Sequence, residues 1–243
     1  MTKKDLYIRR KLSEYVVGVL GGMGPAATID FMSRVLRNTP AEDDEDHIRM
    51  FIDHNPKVPS RIKALIDKTG ESPAPVLQNM ARKLESIGAD FLAMPCNTSH
   101  HFLNDIRDVI KIPILDMIDL TVQTVISNTE NIHNVGILAS TAVLNVNIYS
   151  RAFQKKGVDV IEPQDDQQQK IMDVIMAVKR NDVGGKLILT LSDVINELID
   201  KGAEAIVIGC TEISAVIGQI NLATPLYDAS EILARKVVDM CKT

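Results

Sequence analysis

Gly88-Ala89-Asp90-Phe91-Leu92-Ala93-Met94-Pro95-Cys96-Asn97-Thr98 and Gly202-Ala203-Glu204-Ala205-Ile206-Val207-Ile208-Gly209-Cys210-Thr211-Glu212 are two versions of one stretch. Each passes from a glycine turn through one acidic residue and a short apolar run to a cysteine, then on toward a helix. Short apolar runs closed by turn residues and flanked by helix-length segments read as buried strands of a parallel sheet. In open sheets of that kind, ligands gather beyond the C-terminal ends of the strands, where both cysteines stand. Two thiols at matched positions suggest one site approached from two sides.

Working outward, the same order of elements occurs twice. Strand 16–20, the turn Gly21-Gly22-Met23-Gly24-Pro25 and helix 26–37 come first, then strand 49–53, helix 75–86, strand 91–94, helix 99–110 and a short strand 113–115 ending at Asp116. Strand 134–139 restarts the series, with helix 143–156, strand 158–161, helices 167–179 and 187–200, strand 205–208 and a last strand in 224–228. Landmarks recur at similar offsets: Gly18 and Gly136 (136 − 18 = 118), Cys96 and Cys210 (210 − 96 = 114), Asp116 and Asp228 (228 − 116 = 112). A repeat of this length predicts two similar α/β halves of Rossmann-like build. Each is expected to be a mainly parallel four-stranded sheet flanked by helices, with pseudo-two-fold symmetry and the active site between the halves. Residues 1–117 with 228–243 form the first domain, completed by the C-terminal helix, and 118–227 the second.

Composition excludes several function classes. A length of 243 residues suffices for a large core, and 45% hydrophobic with 24% charged residues is ordinary for a globular chain. A net charge of −5 gives no basic footprint for nucleic acid, and 4% aromatics without Trp disfavour stacking on bases. No apolar run approaches about 18 residues, so no membrane span is expected. The charged start, residues 1–10, lacks a signal-peptide apolar core and reads as a solvated extension. Three cysteines are no disulfide framework, which fits a reduced, cytoplasmic setting. The acidic stretch 42–46 and the polar stretch 165–169 read as solvated loops or helix starts.

A lone cysteine beside a strand is ordinarily a small core residue, and Cys241 is read so. Cys96 and Cys210 differ, because both lie past a strand's end and precede a helix N-terminus, which can lower a thiol pKa. Asn97, Thr98 and Thr211 add polar groups that a core would reject. No Cys-x-x-Cys or His-rich set completes a metal site. The adjacent His100 and His101 face different sides, so at least one is structural or on the surface. Gly22-Met23-Gly24-Pro25-Ala26-Ala27 fits a loose dinucleotide pattern with Asp53 as ribose partner, yet the same loop could hold a small carboxylate. Arg61, after the rigid loop 55–60, has a fork suited to a carboxylate, although taken alone it reads as a surface charge. Lys179 reads on position alone as a helix C-terminal dipole partner.

Taken together, Val17-Gly18-Val19-Leu20-Gly21-Gly22-Met23-Gly24-Pro25, Asn55-Pro56-x-x-Pro59-x-Arg61, Met94-Pro95-Cys96-Asn97-Thr98-x-His100 and Gly209-Cys210-Thr211-Glu212 resemble the aspartate racemase branch of the aspartate/glutamate racemase superfamily. The similarity runs from about residue 16 to the C-terminus. The resemblance implies a cofactor-independent racemase with Cys96 and Cys210 as paired acid–base groups. It places substrate recognition on Met23, Gly24, Asn55, Arg61, Asn97, Thr98, Lys179, Thr211 and Glu212. It also implies a small dicarboxylic amino acid as substrate, aspartate first and glutamate second, with no nucleic-acid or membrane partner, and a homodimer is expected. A related isomerase (glutamate or hydantoin racemase, maleate isomerase) and a dinucleotide-dependent oxidoreductase are the alternatives.

Overall fold

The computed structural model describes residues 15–182, 184–217 and 223–242; the charged stretch 1–10 lies outside the described residues. Strands β1 (Val17–Gly21), β2 (Met50–His54) and β3 (Phe91–Ala93) form a parallel sheet in the order β2-β1-β3. Helices α1 (Pro25–Asn38), α2 (Ala74–Ser86) and α3 (Leu103–Arg107) belong to this half. Strands β4 (Asn134–Ala139), β5 (Asp159–Ile161), β6 (Ala205–Gly209) and β7 (Leu226–Asp228) form a second parallel sheet, β5-β4-β6-β7. It is flanked by α4 (Met117–Asn128), α5 (Thr141–Asn145), α6 (Ile148–Gln154), α7 (Asp165–Lys179) and α8 (Gly185–Asp200). The chain closes with α9 (Thr211–Ile217) after β6 and α10 (Ala229–Lys242) after β7. The fold is therefore α/β with two helix-flanked parallel sheets.

One expected strand is reduced. Residues 113–115 contribute a single parallel bridge, Leu92 with Ile114, so the first sheet has three strands rather than four. Pro113 has no N–H to give the ladder, and Asp116 caps α4 at once by accepting from the Ile118 and Asp119 amides. Two expected helices are broken. Residues 98–102 form a 3-10 turn before α3, and Asn147, at φ 53°, separates α5 from α6.

The repeat is physical as well as textual. A Cβ at Gly18 would stand 2.6 Å from Leu92, 3.0 Å from Ala89 and 3.1 Å from Leu84. At Gly136 the same neighbours recur 114 positions later: Ile206 at 2.8 Å, Ala203 at 3.1 Å and Leu198 at 3.1 Å. Both central strands thus need glycine because the following strand and the helix before it press directly on the backbone. Gly88 and Gly202 both take φ 98°, the left-handed region that glycine enters without steric cost. The acidic residue after each turn does the same work twice. Asp90 accepts from the Val16 amide at 2.8 Å, and Glu204 from the Asn134 amide at 3.0 Å, which sets the start of each central strand.

The helices that follow the last strand of each half cross over. Ile118, Val122 and Val125 of α4 pack against Val135, Ile137 and Val207 of the second sheet. Leu233, Val237 and Val238 of α10 pack against Val17, Val19 and Phe91 of the first. Cys241 is buried in that same cluster, as a core cysteine should be. A buried arginine fastens the crossing. Arg34 of α1 meets Asp30, Asp228 and Glu231 at 2.6, 2.8 and 3.2 Å and donates to the Ser214 carbonyl at 2.7 Å.

Candidate active site

Cys96 lies just beyond β3 and Cys210 just beyond β6, at corresponding ends of the two sheets. Both line one cleft, with about 470 Å³ of empty space including its mouth. Met23, Arg61, Asn97, Thr98, Lys179, Thr211 and Glu212 line the same cleft. Gly24 sits beside it, where a Cβ would come 3.3 Å from Glu212 Oε1. Asn55 is not among the lining residues. Its Oδ1 accepts from the Lys57 amide at 3.0 Å and its Nδ2 faces Met80 Sδ at 3.7 Å, so it shapes the loop that carries Arg61.

The two sulfurs play opposite hydrogen-bonding roles. Ser99 Oγ stands 3.2 Å from Cys96 Sγ and 3.3 Å from Met23 Sδ, with one proton to donate to either sulfur, whereas Cys210 Sγ donates to Glu212 Oε2 at 3.2 Å. Burial and then the Glu212 carboxylate push the Cys210 thiol well above its ordinary value. The amides of Glu212 and Ile213 at the start of α9 pull the other way, as expected from a helix N-terminus, and are outweighed. Cys210 therefore rests as a thiol. Glu212 is itself held by a 4.0 Å pairing with Lys179 Nζ. Lys179 keeps 34% side-chain exposure against 10% for Glu212, so the cation reaches the cleft from its wetter side.

Arg61 Nη1 donates to the Val58 and Pro59 carbonyls at 3.4 and 3.2 Å, which aims the rest of its fork. Asn97 is buried and fixed by Tyr149 of α6, whose hydroxyl donates to Asn97 Oδ1 at 2.7 Å. That bond orients the amide and leaves Asn97 Nδ2 as a buried donor without a protein partner. A cleft-lining donor of this kind suits a ligand carboxylate. Of the two histidines, His100 is buried and His101 is exposed, edge-on to Phe102.

Some site residues escaped the sequence. Ser60, Ile62, Ser140 and Ile175 also line the cleft, Ser99 touches Cys96, and Tyr149 orients Asn97. The repeat could have revealed one of them, because Ser140 stands 118 positions after Gly22 (140 − 22 = 118). The dinucleotide pattern finds little support: Thr28 Oγ1 already accepts from the Gly22 amide at 2.8 Å, which removes a phosphate donor from the loop. Among the described residues no group of three or more His, Cys, Asp or Glu gathers to hold a metal, and no helix is long and apolar enough to cross a membrane.

Comparison with known proteins bears on the family and the fold. The family model described as Asp/Glu/Hydantoin racemase matches residues 20–237. The chain is 28% identical over 227 residues to the broad specificity amino-acid racemase RacX of Bacillus subtilis (strain 168), covering 92% of this chain and 96% of that protein. The solved aspartate racemase of Picrophilus torridus superposes with a TM-score of 0.84 at 32% identity, over 93% of this chain and 94% of that one. Glutamate racemase isoform RacE1 from Bacillus anthracis shares the fold at 17% identity and a TM-score of 0.65, over 94% of this chain and 82% of that one.

Proposed function

The chain belongs to the Asp/Glu/hydantoin racemase family and is an amino-acid racemase, and from that premise we propose that its substrate is aspartate, with glutamate second. The proposed chemistry is a two-thiol exchange at Cα. Inverting the centre requires one group to remove the proton and another to return one from the opposite face. Cys96, accepting a hydrogen bond from Ser99, starts as thiolate and takes the Cα proton; Cys210 gives its S–H proton to the other face. The product is the opposite enantiomer with Cys96 as thiol and Cys210 as thiolate, and the reverse reaction exchanges the roles. No cofactor enters this scheme.

The single observation that carries the proposal is the pair of repeat-related cysteines on one small cleft with opposite hydrogen-bonding roles. The carbanion is the hard intermediate, and its charge spreads onto the α-carboxylate. Preorganised donors aimed at such charge contribute roughly 3–4 kcal/mol each. Arg61 and Lys179 supply a cation for each carboxylate of a dicarboxylic substrate, and Asn97 Nδ2, Thr98, Thr211 and the Met23–Gly24 loop complete the contacts. We also divide the chain at 1–117 with 228–243 and 118–227, a division favoured by the packing of α10 on the first sheet.

The test is chiral chromatography of a panel of L-amino acids incubated without added cofactor, followed by aspartate in D₂O. D-aspartate carrying deuterium at Cα, with little label in recovered L-aspartate at early times, is expected. Cys96→Ser and Cys210→Ser should each abolish net racemisation. Near-wild-type rates in both would refute the thiol assignment.

A further inference from the structure

His100 is buried, four residues after Cys96, and both of its ring nitrogens are engaged. Nδ1 lies 2.9 Å from the Cys96 carbonyl, and Nε2 lies 3.0 Å from the Met117 amide at the first turn of α4. A carbonyl can only accept and an amide can only donate, so the ring is neutral, with its proton on Nδ1. It ties the Cys96 backbone to a helix that packs on the opposite half's sheet. The repeat supplies the control. Four residues after Cys210 stands Ser214, also buried, whose amide donates to the Cys210 carbonyl at 3.0 Å. Its hydroxyl lies 3.3 Å from that carbonyl and 2.6 Å from Asp228 Oδ1, which in turn accepts from the Ser230 amide of α10 at 2.9 Å. Both positions therefore link a cysteine's carbonyl to the start of the crossing helix. A serine is no acid or base near neutrality, so what the two positions share is holding, not proton transfer.

We propose that His100 is a positioning residue that aims the Cys96 thiol by clamping its carbonyl to the first turn of α4, and that the clamp opens when the imidazole is protonated. The proposal rests on the reading that Cys96 carries one of the two proton transfers. Protonation would place N–H at Nε2 against the Met117 N–H, donor against donor, and turn the ring toward the Leu115 carbonyl, releasing the first turn of α4. Burial lowers the His100 pKa from the ordinary 6.5. The Cys96 carbonyl, Asp116 and the Leu115 carbonyl raise it and Arg107 lowers it, while Asp119 of α4 and Arg151, Lys155 and Lys156 at the C-terminal part of α6 face the same groove. The neutral clamp thus holds through neutrality and is lost as pH falls through that lowered value.

The experiment compares His100→Phe, His100→Asn and Ser214→Ala for kcat, KM, thermal midpoint and the acid side of the rate profile with L-aspartate. Asparagine places a donor near the position of Nδ1 and cannot titrate. His100→Phe is expected to lower kcat at least about tenfold with KM little changed, a loss confined to the transition state. His100→Asn keeps a donor for the Cys96 carbonyl but offers no acceptor to the Met117 amide, so its kcat should fall between those of His100→Phe and wild type. The wild-type acid limb should steepen where His100 protonates; the Asn limb should not, and the Ser214→Ala limb should keep the wild-type shape. An Asn variant with full wild-type kcat overturns the proposal, because the Met117 end would then hold nothing, and one as dead as Phe with an unchanged thermal midpoint overturns it too, because the donor to the Cys96 carbonyl would then count for nothing. An Asn variant whose acid limb matches wild type overturns it as well. If the Phe variant fails to fold, the Asn profile alone decides. Inactive Cys96→Ser beside a wild-type-like His100→Phe would reject the clamp and spare the thiol chemistry, while an active Cys96→Ser would reject the chemistry first.

Discussion

Tyr149→Phe removes one oxygen atom from the link between the two halves, and its effect can be sized from the structure. The hydroxyl donates to Asn97 Oδ1 at 2.7 Å with both residues buried. The remaining ring keeps its stacked contact with Phe153 at 6.3 Å, so packing is conserved. What changes is that Asn97, whose Nδ2 already has no protein partner, loses the bond on Oδ1 too. A buried acceptor stranded in this way costs about 1–3 kcal/mol. In a chain of this size each kcal/mol moves the thermal midpoint by roughly 2–4 °C, so calorimetry should register a fall of about 4–8 °C for a central loss of about 2 kcal/mol. Freed of its anchor, the Asn97 amide should also hold substrate less well, and kcat/KM for aspartate should fall by about tenfold, the equivalent of about 1.4 kcal/mol. Burial raises the phenol's pKa above its ordinary value, so the wild-type hydroxyl remains a donor throughout the assay range and Tyr149 should add no alkaline limb. An unchanged midpoint with unchanged kcat/KM would refute the reasoning. A lowered midpoint with full activity would show that Tyr149 supports the fold but does not orient Asn97 for substrate.

Arg61→Lys keeps the charge but loses the planar fork, so kcat/KM for aspartate should drop at least about tenfold, and Lys179→Met should act similarly. Steady-state kinetics with aspartate and alanine would tell which cation serves the distal carboxylate, since that one should not matter for alanine. Glu212→Gln removes the anion beside Cys210 and should lower the Cys210 thiol pKa. Alkylation rates against pH in a Cys96→Ser, Cys241→Ser background would read it, and an unchanged or raised value would refute the assigned cause. Arg34→Met strands the Asp228 and Glu231 carboxylates and should cost about 3–5 kcal/mol, visible as a lower denaturation midpoint.

The strands that carry the cysteines were legible because burial on both faces forces apolar runs, and because Gly88 and Gly202 mark the turns before them. The reduced strand at 113–115 was overestimated: its apolar residues read as a strand, but Pro113 and the capping Asp116 leave room for only one bridge. Asn147 broke a helix that amphipathic spacing carried straight through. At the site, the cysteines and their neighbours could be read because the motifs are local in sequence. Tyr149 could not, since it meets Asn97 from 52 residues away and looks like any core aromatic until the halves are brought together. The raised thiol of Cys210 was also invisible. Helix position argued for a lowered value, and burial of the sulfur, together with the carboxylate two residues on, reverses the sign.

The crossing of α4 and α10 gives the chain the logic of a domain-swapped dimer fused into one polypeptide. Each half lends the other the helix that seals its sheet, so neither half alone encloses a complete core. A fragment ending near residue 128 would carry α4 with nothing to cover and would leave Val17, Val19 and Phe91 open. Two such fragments could satisfy themselves only by trading helices. Such an exchange gives duplication and fusion of a single ancestral half a direct physical advantage: it turns a bimolecular swap into an intramolecular one. It also ties the spacing of the two cysteines to the integrity of the whole core, so the jaws of the cleft cannot drift apart without unsealing both sheets.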